Sequence, residues 1–166
     1  MDAPTDRVAQ IMTEWRRERP DLDVAPQGVI GRLHRLANHL TEDLVGVYRT
    51  FGLAEGEFDV LATLRRAGSP FERTPSELAT STMVTTGAMT KRLDRLEARG
   101  LVTRRQSDAD GRGRVTALTP DGRTLIDRAF TAHLANERRL IDEALSPADV
   151  AALERVLTMW LARYES

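Results

Sequence analysis

An α+β fold dominated by α-helix is what the sequence predicts, on three observations. Apolar residues recur at helical spacing over most of its 166 positions. Two β-prone runs flank one short, charged, glycine-containing segment. Three of the helical runs open on a hydroxyl residue followed by proline, at Thr74-Pro75, Thr119-Pro120 and Ser146-Pro147, the signature of a capped helix start.

Taken in order, residues 5–19 place Val8, Ile11, Met12 and Trp15 on one stripe of a short helix that Pro20 ends. From about Ile30 to Phe51, apolar residues at steps of three and four form a long helix with a coiled-coil-like seam, closed by Gly52. Phe58, Leu61 and Leu64 mark a shorter helix before the break at 67–70. Thr74, Pro75 and Glu77 start a brief helix with a capping box, and after Ser81-Thr82 a further helix runs from about Thr85 to Arg99, stopping at Gly100. Two short helices across a tight turn describe a helix-turn-helix, and the hairpin formed by 101–105 and 114–118 directly after it is a wing. Long helices carrying Leu125 to Ile141 and Val150 to Tyr164 complete the chain. The organisation expected is an N-terminal helical region at 1–52, a winged helix-turn-helix lobe at 53–118 and C-terminal helices at 119–166.

Composition excludes several classes of function. Apolar residues make up 41% and charged residues 30%, and no run approaches the roughly 18 apolar residues of a membrane span, so a soluble chain is expected. The first residues have no basic, apolar leader pattern, which makes a cytoplasmic location the expectation. With no cysteine, disulfides, zinc-thiolate sites and thiol sensing are removed. The three histidines share no metal-ligand spacing, and no nucleophile elbow, phosphate loop or dinucleotide fingerprint occurs, so neither a metal, a cofactor nor an enzymatic activity is expected. The net charge is only −1, yet Met83 to Val115 holds eight basic residues against four acidic ones. Basic charge is thus concentrated on the second helix of the helix-turn-helix and the wing.

In that helix Met89, Leu93 and Leu96 form the inner stripe, which leaves Thr85, Thr86, Gly87, Thr90, Lys91 and Arg95 to face a partner. Hydroxyls, methyls and cationic groups on one helix face suit base edges and phosphates; the alternative is a solvated polar face. Gly87 either admits close approach of a partner or serves packing. Arg92 borders the inner stripe rather than the outer face. An inward arginine needs an acid or an anion, because an unpaired buried charge costs several kcal/mol. Asp59 is one candidate partner, and a bound anion is the other. Trp15 reads from its spacing as a core anchor, with its flat indole as the alternative platform for a ligand.

The run Thr74-Pro75-Ser76-Glu77-Leu78-Ala79, the segment Gly87 to Glu97, the triplet Gly100-Leu101-Val102 and the stretch Leu118 to Arg123 stand together in this order. On them the whole chain resembles the multiple-antibiotic-resistance regulator (MarR) family. The resemblance implies a homodimer with interleaved N- and C-terminal dimerisation helices, and a winged lobe on each side that binds double-stranded DNA and represses genes until a small molecule arrives. A narrower likeness, to the urate-responsive members, rests on the added first helix with Trp15 and on Asp59, Arg92 and Arg104. It implies that these four hold a small anionic effector. The wing departs from the family's tip pattern: Ser107 stands at the first acidic position and Gly111 at the first arginine, while Asp110 and Arg112 remain. Arg112 or Arg114 is therefore expected in the minor groove. The function expected is a regulator released from a pseudo-palindromic operator by urate or a related aromatic acid. The alternatives are a relative answering to another phenol or organic acid, and a winged helix used for protein interaction.

Overall fold

The computed structural model describes residues 6–82, 85–106 and 114–165. The Arg112 assignment lies outside them. The chain divides into two compact units, residues 1–43 and 44–166.

In the N-terminal unit, α1 (Arg7–Glu18) is capped by Asp6, whose carboxylate accepts from the Ala9 amide at 2.8 Å and from Nε of Arg32 at 2.6 Å. Arg32 belongs to α2 (Ala25–Thr50). Val8, Met12 and Val24 form a small core here. That core ends a turn before Trp15, which is 45% exposed. The anchoring role that spacing gave Trp15 falls to Val8 and Met12.

The second unit begins within α2, whose last turns contribute Tyr48 to its core. It continues through α3 (Glu55–Arg66), β1 (Glu72–Arg73), α4 (Pro75–Ser81), α5 (Thr86–Ala98), β2 (Val102–Gln106), β3 (Arg114–Leu118), α6 (Pro120–Ala144) and α7 (Pro147–Leu161). Leu61 and Leu64 of α3, Leu78 of α4, Met89, Leu93 and Leu96 of α5 and Ile126 of α6 are all at most 1% exposed. Each contributes about 2 kcal/mol of burial, so α5 is held mainly by its apolar stripe. The caps form as the sequence predicts: the Thr74 hydroxyl accepts from the Glu77 amide and the Glu77 carboxylate from the Thr74 amide, and Ser146 and Asp149 repeat the exchange. Gly100, at φ +68°, ends α5 in the left-handed region where any side chain would be strained.

The sheet has three strands in the order β1-β3-β2, all antiparallel. The β2–β3 hairpin is the predicted wing, with Arg104 opposite Thr116. Sequence reading missed β1, which pairs Glu72 with Ala117 and Arg73 with Thr116. Two residues are too few to show an alternating pattern, and β1 exists only because β3 offers it an edge.

Beyond the lobe, α7 has no buried residue, and Leu153, Leu157 and Leu161 stand exposed, as do Leu134 and Ile141 of α6. Among the described residues no helix is long and apolar enough to cross a membrane, and no cluster of His, Cys, Asp and Glu could hold a metal ion.

Candidate functional site

The outer face of α5 is open. Thr85 caps it, its hydroxyl accepting from the Ala88 amide at 3.3 Å, and Thr85, Gly87, Thr90 and Lys91 are all exposed. The Thr86 side chain lies outside the described residues. Among the described residues nothing within 4 Å would meet a Cβ on Gly87, so no packing contact among them calls for a glycine there. Arg114 is exposed at the start of β3.

Arg95 also reaches the surface, but it is tethered. Its Nε donates to Oε1 of Glu57 at 2.9 Å. Glu57 sits in the first turn of α3 and is only 6% exposed. Its Oε2 accepts from the Ala54 amide at 3.0 Å and from Arg99 at 3.4 Å, while the same Arg99 nitrogen donates to the Gly52 carbonyl at 3.0 Å. Burial by itself pushes this carboxyl up; the Ala54 amide, Arg95 and Arg99 outweigh it and hold the group below the usual carboxylate range. Sequence reading missed Glu57. An acid three residues after Ala54 signals a helix start, but nothing in the spacing signals that α5 would supply two cations to it.

Arg104, on β2, is bound to the inner flank of α5. It pairs with Asp94 at 2.8 Å and donates from Nε to Glu97 at 2.8 Å, with a second contact to the same carboxylate, and its backbone amide donates to Glu97 as well. The Arg104 hydrogen bond holds Glu97 below its ordinary value. This cluster ties the wing to α5.

Arg92 is the opposite case. Its guanidinium lies directly over Gly56 of α3, where a Cβ would stand 2.2 Å from Cζ. Its Nη1 is buried and has no hydrogen-bond partner. Asp59, one turn along α3, is close enough for Arg92 to lower it, yet the two make no ion pair within 4 Å. Burial, then the charge of Glu55, outweigh Arg92 and leave Asp59 above the normal carboxylate range. The predicted alternative of a structural Asp59–Arg92 pair is therefore not what forms. An aromatic group flanks Asp59: Tyr48 stacks on Phe58 at 4.0 Å, and its hydroxyl lies 3.2 Å from Nδ1 of His133, a contact compatible with either donor. Burial and then Asp59, Glu137 and Glu55 push the Tyr48 hydroxyl up to about 12, so it stays protonated.

Of the four residues assigned to an effector, Asp59 and Arg92 are thus brought together on the α3–α5 junction. Arg104 is engaged by acids on α5, and Trp15 is exposed on α1 in the other unit. Gly56 was not singled out in the sequence, because the approach it permits joins residues on different helices.

Comparison with known proteins gives a consistent picture. Residues 51–113 match the profile of the MarR family. The chain is 41% identical over 134 residues to the HTH-type transcriptional regulator PecS of Dickeya dadantii, covering 81% of each chain. Among solved structures it is similar to AbsC, a MarR family regulator from Streptomyces coelicolor, with a TM-score of 0.76 at 25% identity over 87% of this chain and 97% of that one. It is also similar to a cysteine-to-serine variant of MarR from E. coli complexed with operator DNA, with a TM-score of 0.70 at 28% identity over 84% and 99%.

Proposed function

The chain belongs to the MarR family of transcriptional regulators, and on that premise we propose that it is a homodimeric repressor released from its operator by a small anionic aromatic ligand, urate or a related purine first. What carries the DNA-binding part is the outer face of α5: a helix held by a fully buried stripe presents Thr85, Gly87, Thr90 and Lys91 to the outside, beside a wing with Arg114 exposed. Thr86, Arg95 and Arg112 complete the proposed contact set. Two copies would place their α5 helices in major grooves about 10 bp apart or a multiple of that. The apolar residues left open on α6 and α7 are the surface a second copy would cover.

The ligand part rests on Arg92. An arginine nitrogen that is buried and unpartnered is a costly state that an anion relieves. Asp59, with its carboxyl free of hydrogen bonds among the described residues, would accept ligand N–H groups. Arg104 would join by exchanging an acid for the ligand, and Trp15 by stacking on an aromatic ring. Because Arg92 lies on α5, a ligand that binds it better in a displaced position draws the helix from the groove and shifts the population away from the DNA-binding form.

The test is a titration of the purified protein into labelled duplex from the region upstream of its own gene, with and without millimolar urate at fixed salt. A specific complex released by urate supports the whole reading. A specific complex indifferent to urate but released by a phenolic or carboxylic acid keeps the repressor and changes the ligand. Absence of binding even at low salt favours a protein-interaction module.

A further inference from the structure

We infer that Glu57 determines how well α5 discriminates its DNA sequence, by holding Arg95 and Arg99 in fixed positions and cancelling part of their charge. The inference rests on the reading that α5 binds duplex DNA. A capping-box acid at the third position of a helix needs no burial and no cationic partner, since glutamine serves equally well there. Glu57 has both. It is 6% exposed, fixed by the Ala54 amide, and it receives Arg95 and Arg99 from 38 and 42 residues further along the chain.

The two arginines themselves remain at the surface, their side chains 57% and 39% exposed. Left free beside Lys91, they would add mobile cationic groups to the helix that enters the groove. Such groups meet the phosphate backbone of any sequence, and each phosphate neutralised steepens the salt dependence of binding by about 0.9 in log–log slope. Tethered at Nε, Arg95 can offer only its terminal nitrogens, from one direction. Arg99 is occupied by the Gly52 carbonyl and Glu57 together. The buried carboxylate thus suppresses contacts that carry no sequence information and keeps those that depend on register.

Glu57→Gln preserves volume and the capping role and removes the charge. Binding of wild type and variant to the upstream duplex and to a scrambled duplex is measured across a salt series. The expected result is a slope on scrambled DNA steeper by about 1 to 2, and a fall of about tenfold in the ratio of specific to scrambled affinity. An unchanged slope and ratio overturn the inference. Thermal melting checks that the variant folds, and Arg99→Gln in the otherwise intact protein judges the idea independently of it. If Arg99 is masked, its loss leaves the slope as in wild type; a slope shallower by about 0.9 makes it a phosphate contact and overturns the inference. A wild-type protein that binds both duplexes equally defeats the operator reading while the slopes still judge Glu57. One that binds neither defeats both.

Discussion

Two arginines beside the recognition helix, Arg92 on α5 (Thr86–Ala98) and Arg104 on β2, stand in opposite electrostatic conditions. At the wing base, Arg104 meets Asp94 and Glu97 together. At the α3 junction, Arg92 rests on Gly56 with a buried nitrogen unpartnered, and Asp59 stands near it without pairing. Arg92 is inward-facing by its helical spacing, yet of the two only Arg104 has acids paired to it. A satisfied cluster stabilises the free protein, and a ligand anion can enter it only by displacing an acid. An unsatisfied one makes the free protein less stable than its packing allows, a difference that a bound anion would restore.

The sharpest way to break this contrast is Arg92→Met. Removing a buried group without a partner is expected to leave stability unchanged or raise it by about 1 kcal/mol, measured by urea unfolding. The same variant is expected to need at least tenfold more urate to release DNA. Destabilisation by more than about 1 kcal/mol would mean that Arg92 is a structural tie, and the contrast would collapse. Arg104→Met should behave in the reverse manner. It strands two acids that are themselves partly exposed, so solvent screening limits the loss to about 0.5–1 kcal/mol. Weaker DNA binding should accompany it as the wing loosens from α5, while the urate response should fall less than in Arg92→Met. An equal fall in both variants would place Arg104 in the ligand site on the same footing as Arg92.

Much of the lobe was legible from sequence for a local reason. Capping boxes, the Met89-Leu93-Leu96 stripe and the glycine stops act within a turn or two of chain, and each appears where its pattern predicts. That Arg92 faces inward was legible for the same reason. What it faces was not, since Gly56 lies 36 positions away and its role is only to be small. Glu57 was hidden similarly: its helix-start signal is local and its partners are distant. Trp15 shows the converse error, a periodic position whose burial depended on where a small core happened to end.

The smallest effect tests the contrast through protonation alone. Glu97 has its carboxyl lowered in the folded protein, so it binds fewer protons there than in the unfolded chain. Its contribution is fully present above the ordinary carboxylate value and is lost as pH falls through the lowered folded value. Asp59 is raised, chiefly by burial. It binds its proton more tightly when folded, so its cost is absent below the ordinary value and grows as pH rises through the raised folded value. Urea unfolding between pH 7 and about pH 3, near and below the ordinary carboxylate range, should therefore give opposite trends. The stability deficit of Glu97→Gln should shrink on acidification, because the wild type loses what the variant already lacks. Asp59→Asn should be the more stable protein at pH 7, and its advantage should vanish on acidification as the wild-type carboxyl takes up its proton. Parallel trends in the two variants would show that Asp59 is satisfied after all, and that an anion arriving at Arg92 meets a site already balanced.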